Sequence, residues 1–390
     1  MENLELTTLK EEIAEEITDW EQLNLDPRLL RGIFSYGFER PSPIQSKAIK
    51  PLIEGKDLIA QAQSGTGKTG AFAIGAIQKV DFKDDTTQVL ILSPTRELST
   101  QSAKVVSSIG AFIPELNVKT FFGGSSMENS ISVPHIICGC PGRVYDMMKR
   151  EKILCEKIKL IIFDEADEML SSGFKDQVYN IFQYLNNDVQ VGLFSATLPE
   201  SINPIIEKIT RNPCKIEVKR QQLTLEGIQQ FFVALDDDRQ KYLTLKNLFS
   251  HINMSQCIIY CNSINRVQDL YEAMMEDEFP VCHIHSYMEK PEREKAFNDF
   301  KSGNSRVLIS SDVTARGIDI QQVSVVINFD VPKDVNTYLH RIGRSGRWGR
   351  KGVGINFITR RDIFHIRKIE EHYSTQIVEL PADLSFLKCV

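Results

Sequence analysis

The chain has 390 residues, 42% apolar and 25% charged, with a formal net charge of −6. That length exceeds one ordinary hydrophobic core and fits two domains of about 150–200 residues each, while no apolar run nears the roughly 20 residues that span a bilayer and the N-terminus is unlike a signal peptide. The eight cysteines form no CxxC pair, and Cys138-Gly139-Cys140 has no His or Cys cluster nearby to complete a zinc set, so reduced thiols in an intracellular protein are expected.

The first 19 residues hold seven acids and one base, which leaves 20–390 neutral overall. Leu6, Leu9, Ile13, Ile17 and Trp20 recur at spacings of three and four, the stripe of one amphipathic helix. Short apolar runs then alternate with amphipathic stretches. The first series of predicted strands is 57–62, 88–93, 135–139, 160–164 and 191–195. A second series is 257–262, 281–285, 307–310, 325–328 and 353–358. Strands spaced by helical segments predict βαβ units and a parallel sheet, here twice. No sequence repeat links the two series, so any relation is one of architecture. Coil-forming stretches fall at 125–132 and 236–238. The chain thus divides into an acidic helical segment 1–19, a first domain 20–212, a linker 213–224 and a second domain 225–390.

In an open α/β sheet, ligands bind beyond the carboxyl ends of the strands, and the motifs that carry chemistry fall there. Ser64-Gly65-Thr66-Gly67-Lys68-Thr69 follows the first predicted strand and precedes a helical run starting near Gly70. With Ala62 it gives A-x-x-G-x-G-K-T, a short phosphate loop. Its glycines let backbone N–H groups approach phosphate oxygens, and the helix N-terminus adds favourable partial charge. Lys68 is expected to bind the β- and γ-phosphates of ATP, and Thr69 to hold Mg²⁺. Asp164-Glu165-Ala166-Asp167 ends the apolar run Leu160–Phe163. An acid in that place is costly without a partner. Asp164 is the expected Mg²⁺ partner and Glu165 the expected base that orients the attacking water. This strand is expected to neighbour the strand that carries the phosphate loop.

Asp-Glu-Ala-Asp, with the motifs around it, resembles the signature of the DEAD-box helicases, from Trp20 to about Ile358. That family implies two tandem RecA-like domains of the α/β class, each a parallel sheet flanked by helices, joined by a flexible linker. Gly37-Phe38-Glu39-Arg40-Pro41-Ser42-Pro43-Ile44-Gln45 is similar to the family's Q motif. The resemblance implies that Gln45 reads the adenine edge, Phe38 stacks on the ring and Arg40 lies close to the base. A bidentate amide can pair with adenine's acceptor and donor together. Pro94-Thr95-Arg96, Gly123-Gly124 and Pro141-Gly142-Arg143 match motifs that contact the RNA backbone, with Cys140 where the family has threonine. Ser195-Ala196-Thr197 matches the coupling motif, expected to tie the Asp164–Asp167 segment to domain closure.

The second half continues the resemblance. Asn262 lies in motif IV, and Arg293 stands where the family has an RNA-contacting arginine, with Lys290 in place of the usual glutamine. His285-Ser286-Tyr287 departs from the family's His-Gly-Asp. Ser311 replaces threonine in motif V, which runs on to Asp319, an expected nucleotide contact. His340 to Arg347 match motif VI. Arg344 and Arg347 are the expected arginine fingers on the γ-phosphate, because the planar guanidinium engages phosphate oxygens in two places. His340 and Arg341 are expected in the interdomain network.

The implied activity is RNA-stimulated ATP hydrolysis, with domain closure on single-stranded RNA and local unwinding of short duplexes. Within the family the resemblance is to the initiation-factor-4A group and its nuclear exon-junction and ribosome-biogenesis relatives. That implies a monomer acting with a translation scaffold protein in the cytoplasm, or with exon-junction or ribosome-assembly proteins in the nucleus or nucleolus. An ATP-dependent RNA clamp and a DNA helicase are the other readings, the latter disfavoured by the motif set.

Overall fold

The computed structural model describes residues 16–62, 65–123, 133–171, 173–217, 228–251, 256–312, 323–345, 352–381 and 383–384. The chain forms two compact units, 1–218 and 219–390.

The first unit is built on strands β1 (Leu58–Gln61), β2 (Val89–Leu92), β3 (Val118–Phe121), β4 (Ile136–Gly139), β5 (Leu160–Asp164), β6 (Gln190–Ser195) and β7 (Cys214–Glu217). They lie in the order β3-β4-β2-β5-β6-β1-β7, every pair parallel. Among the described residues the second unit has β8 (Ile228–Ala234), β9 (Cys257–Tyr260), β10 (Val281–Ile284), β11 (Val307–Ser310), β12 (Val325–Asn328), β13 (Gly352–Ile358) and β14 (Val378–Glu379). Their order is β10-β11-β9-β12-β13-β8-β14, again all parallel. Adding seven to each strand number of the first sheet yields the second, so the two units share one topology without a sequence repeat.

The central strands are apolar runs because helices cover both faces of each sheet. In the first unit one core contains Ile162, Phe72 and Trp20, and the other Ile161, Phe163 and Leu193. Alternate residues of β5 enter opposite cores, as the two-residue period of a strand requires. The second unit repeats the pattern, with Ile258 and Leu308 in one core and Ile259 and Ile309 in the other.

All ten predicted strands are present, within two residues at either end. Four strands were not expected: β3, β7, β8 and β14. The correction with most consequence is β7. The linker expected at 213–224 begins as a strand, with Cys214–Glu217 paired along β1. Buried Asp57 closes this edge, accepting from Arg211 N at 2.6 Å and Val191 N at 2.8 Å. The rest of the expected linker, from 218, lies outside the described residues. The N-terminal stripe is also corrected at its end. Residues 16–19 are not helical. Ile17 is buried in the core with its N–H on Ser46 O at 3.0 Å, and Trp20 begins a short 3₁₀ turn, Trp20–Leu23. Leu6, Leu9 and Ile13 lie outside the described residues.

Candidate functional site

The phosphate loop leaves the carboxyl end of β1 and enters the helix Lys68–Lys79. Gly65 and Gly67 have φ of 82° and 103°, the left-handed region where a side chain is strained. Gly67 caps the helix with no side-chain bond, and a helix N-terminus of this kind directs its first backbone N–H groups and positive partial charge toward an anion. Buried Lys68 donates from Nζ to Ala62 O at 2.7 Å, inside its own loop.

The residues expected on the adenine side are tied to the phosphate loop and to one another. Ser42 and Gln45 form a capping box on the helix Pro43–Ile53, with Ser42 N on Gln45 Oε1 at 2.8 Å. The other end of the same amide donates from Nε2 to Gly67 O at 3.2 Å. Gln45 therefore ties the Q motif to the phosphate loop. Trp20 Nε1 donates to Phe38 O at 2.9 Å, with the two rings stacked at 6.5 Å. Gly70 is required beneath them: a Cβ there would lie 2.6 Å from Phe38 Cε2 and 2.7 Å from Gln45 Nε2. Arg40 is exposed.

Asp164 and Glu165 stand at the carboxyl end of β5. The expectation that β5 neighbours β1 is corrected: β6 lies between them. The insertion has a chemical consequence, because β6 delivers Ser195 and Thr197 to the acidic segment. Ser195 Oγ donates to Asp167 Oδ1 at 2.8 Å, and Thr197 Oγ1 to Asp167 Oδ2 at 2.6 Å, all three side chains buried. Glu165 adopts a left-handed backbone, φ 53°, rare for a non-glycine residue and of the kind that clusters at functional sites.

Burial pushes the Asp164 carboxyl up to about 7. The Glu165 carboxylate adds to the rise, and nearby Lys68 opposes it. Buried Glu165 Oε2 has no hydrogen-bond partner among the described residues. Two adjacent carboxyls kept from water, one with an unanswered oxygen, fit a hydrated divalent cation.

Three expected RNA motifs of the first unit meet along adjacent strand ends, since β3, β4 and β2 are neighbours. Thr95, after Pro94, caps the helix Arg96–Ile109 through Leu98 N at 3.3 Å. Arg96 reaches Gly123, where a Cβ would lie 3.3 Å from Nη2. Pro141, Gly142 and Arg143 open the helix Pro141–Lys149, and Arg143 Nη1 contacts Asp146 Oδ2 at 2.9 Å. Cys140 Sγ lies 3.6 Å from Ser99 Oγ. Ser99 already donates to Thr95 O at 3.1 Å, which leaves the thiol as donor in that pair.

In the second unit Arg341 is fully buried. Nε donates to Asp312 Oδ1 at 2.6 Å, Nη1 to Asp330 O at 2.8 Å and Asn328 Oδ1 at 3.2 Å, and Nη2 to Asn262 Oδ1 at 2.8 Å. Its guanidinium also lies 5.2 Å over the Tyr260 ring. Asn262 donates in turn from Nδ2 to Val331 O at 2.9 Å. Both ends of that amide thus serve the domain itself. Arg344 follows at the end of the helix Val335–Ile342, with Nε on His340 O at 3.3 Å. Ser311 directly follows β11, and Arg293 sits on the helix Lys290–Lys301.

Sequence reasoning missed Asp330. Its carboxylate accepts from Arg266 Nε at 2.9 Å, Lys241 Nζ at 3.1 Å and Asn262 N at 3.1 Å. The signal was available: an acid two residues past the apolar run of β12 is the same anomaly that marked Asp164. Ser64, Gly124, Asp319 and Arg347 lie outside the described residues.

Two family models match the chain, DEAD/DEAH box helicase over residues 42–205 and helicase conserved C-terminal domain over 240–349. A Lodderomyces elongisporus protein named ATP-dependent RNA helicase eIF4A is 48% identical over 372 residues, 94% of each chain. The Schizosaccharomyces pombe ATP-dependent RNA helicase fal1 is 47% identical over 390 residues, 98% of each chain. Among solved structures, S. cerevisiae Dbp5 bound to RNA and ADP BeF3 superposes with a TM-score of 0.89 at 33% identity, over 94% of this chain and 96% of that one.

Proposed function

The chain belongs to the DEAD-box family of ATP-dependent RNA helicases, and we propose that it couples ATP hydrolysis to closure of its two units on single-stranded RNA, with local separation of short duplexes. The observation that carries this reading is the double hydrogen bond from Ser195 and Thr197 to Asp167. It ties the ATP-side segment to the strand between the two halves of the nucleotide site.

The reaction is assigned to this chain's residues as follows. Backbone N–H groups at Gly65–Gly67 and the Lys68 ammonium hold the β- and γ-phosphates. Lys68 exchanges its bond to Ala62 O for the phosphates. Glu165 orients a water and takes its proton as the water oxygen bonds to the γ-phosphorus. The bond from that phosphorus to the β-γ bridging oxygen breaks, and ADP and phosphate leave. Thr69 and Asp164 would hold Mg²⁺, which supplies charge neutralisation on the phosphate oxygens. Arg344 and Arg347 complete the site from the second unit. Phe38, Arg40 and Gln45 select adenine, and Asp319 contacts the nucleotide.

RNA is held by its backbone: Pro94–Arg96, Gly123, Gly124 and Pro141–Arg143 in one unit, Arg293 and Ser311 in the other. Both ligands then favour the closed state, so each raises affinity for the other. Asn262 and Arg341 act on this face through the fold of the second unit, and His340 in the network between units. The direct test is strand displacement from an RNA duplex of about ten base pairs. ATP-dependent release supports the reading, and release independent of ATP contradicts it.

The eIF4A names of the relatives support an initiation-factor role, for which a translation scaffold protein in the cytoplasm is the proposed setting. The second reading is action in the nucleus with exon-junction or ribosome-assembly proteins; the near-equal match to fal1, a helicase not named as an initiation factor, is consistent with it. Proteins copurifying with the tagged full chain decide between them: a cap-binding scaffold, or splicing and nucleolar proteins.

A further inference from the structure

Tyr287 is the most exposed large hydrophobic side chain among the described residues, at 83%. It stands on the turn between β10 and the helix Lys290–Lys301, and that turn is pinned on both sides. Met288 N donates to His285 O at 3.3 Å, His285 is buried, and Met288 packs on the core. Ser286 and Tyr287, the two central residues, are lifted into solvent. Single exposed aromatics are common, so exposure alone decides nothing.

The surroundings decide it. β10 and β11 run in register with Ile284 beside Ser310, so His285 and Ser311 follow at neighbouring strand ends. They are 7% and 9% exposed, yet His285 Nδ1 and Ser311 Oγ have no hydrogen-bond partner among the described residues. Buried polar atoms of this kind call for a ligand or water. Arg293 stands one turn into the following helix. Burial holds His285 below the usual histidine range, and the Arg293 charge is close enough to add to the effect. A fixed outward ring therefore sits beside a cation and two unanswered polar atoms, at the carboxyl ends of the strands, where α/β folds bind ligands. A nucleic acid strand uses all of these features, with a base on the ring and phosphate and ribose on the rest. A protein side chain on the ring would leave the polar atoms unanswered.

We propose that Tyr287 stacks on a base of bound single-stranded RNA, while Arg293, His285 and Ser311 hold the adjoining phosphate and ribose. This rests on the RNA reading above and adds a contact that the family's His-Gly-Asp sequence does not supply.

The test is fluorescence anisotropy of the full chain with a single-stranded RNA decamer, Mg²⁺ and a non-hydrolysable ATP analogue. Wild type, Tyr287→Ala and Tyr287→Phe are compared on the intact decamer and on decamers lacking one base at each position in turn. Tyr287→Ala should weaken binding about 5- to 150-fold, and Tyr287→Phe should stay within about two-fold. Removing one particular base should cost wild type a similar factor and cost Tyr287→Ala nothing more. The salt slope should not change, since no phosphate contact is lost. Two results overturn the proposal. One is Tyr287→Ala binding the intact decamer within about two-fold of wild type, which would leave the ring to a protein partner. The other is a penalty that persists on every abasic decamer. Wild type failing to bind any decamer would overturn the RNA reading as well, and does not depend on residue 287.

Discussion

Thr197 donates its hydroxyl to Asp167 Oδ2 at 2.6 Å, and both side chains are buried. With Ser195 on the other oxygen, the carboxylate has a donor on each side. Removing either hydroxyl leaves a buried acceptor short of a partner, which costs about 1–3 kcal/mol. Thr197→Ala should therefore lower the thermal midpoint of the first unit. If this contact also transmits closure, base pairs separated per ATP should fall about 5- to 150-fold, the range of a coupling free energy of about 1–3 kcal/mol. Parallel measurement of ATP turnover and strand displacement checks this. Equal loss in both would mean the contact serves stability alone.

Arg344 follows the helix Val335–Ile342, and its Nε donates to His340 O at 3.3 Å. An arginine finger contributes about 10³–10⁵ in turnover. Arg344→Ala should lower kcat for ATP by about 10³-fold or more and change nucleotide affinity by only a few-fold. Weakened nucleotide binding with normal maximal turnover would contradict the finger role.

Arg341 has its guanidinium engaged by Asp312, Asn328, Asp330 and Asn262. Breaking a buried charged network from one side costs about 3–5 kcal/mol. Arg341→Ala should destabilise the second unit by about that amount. Arg341→Lys should recover only part of it, because an ammonium cannot span four partners in one plane. Chemical denaturation followed by a probe in the second unit checks both. A wild-type transition in Arg341→Ala would show that the network contributes little.

The second unit should lose stability in mild acid. His283 is held below the usual histidine range by burial and then by His285, against the opposing charges of Glu292 and Glu272. His285 is lowered by burial and then by Arg293, with Glu292 opposing. Both are therefore neutral in the folded unit at pH values where the unfolded chain is protonated. Unfolding then takes up protons, so stability is full above about pH 6.5 and falls as pH drops through the folded values. His283, packed 4.0 Å from the Tyr271 ring, is the position to change. His283→Phe should flatten this acid limb, as read from denaturation midpoints between about pH 7.5 and 5. An unchanged limb would place the acid sensitivity elsewhere.

Both sheets were legible because their central strands are covered on each face, so Leu160-Ile161-Ile162-Phe163 reads as one apolar run. The missed strands lack that signal. β3 and β7 stand at the edges of the first sheet and mix polar with apolar residues, as in Val118-Lys119-Thr120-Phe121 and Cys214-Lys215-Ile216-Glu217. Pro213 and the basic residues nearby made β7 look like linker. β8 contains Gln229 and Gln230, and buried Gln230 is tolerated because Tyr338 Oη donates to it at 2.8 Å while it donates to Thr375 Oγ1 at 3.0 Å. The nucleotide motifs were legible because their chemistry is concentrated in a few consecutive residues at strand ends. Strand order was not, which is why β5 was expected beside β1. Asp330 escaped because its partners Arg266 and Lys241 lie 64 and 89 residues away.

Steady-state ATP hydrolysis by the full chain with Mg²⁺ tests the central claim most directly, measured alone, with single-stranded RNA and with DNA of the same sequence. Cooperative closure predicts that RNA raises kcat/KM for ATP by about 5- to 150-fold, that DNA without the 2′-hydroxyl does not, and that Lys68→Ala abolishes the response. The same rate with and without RNA would contradict the account.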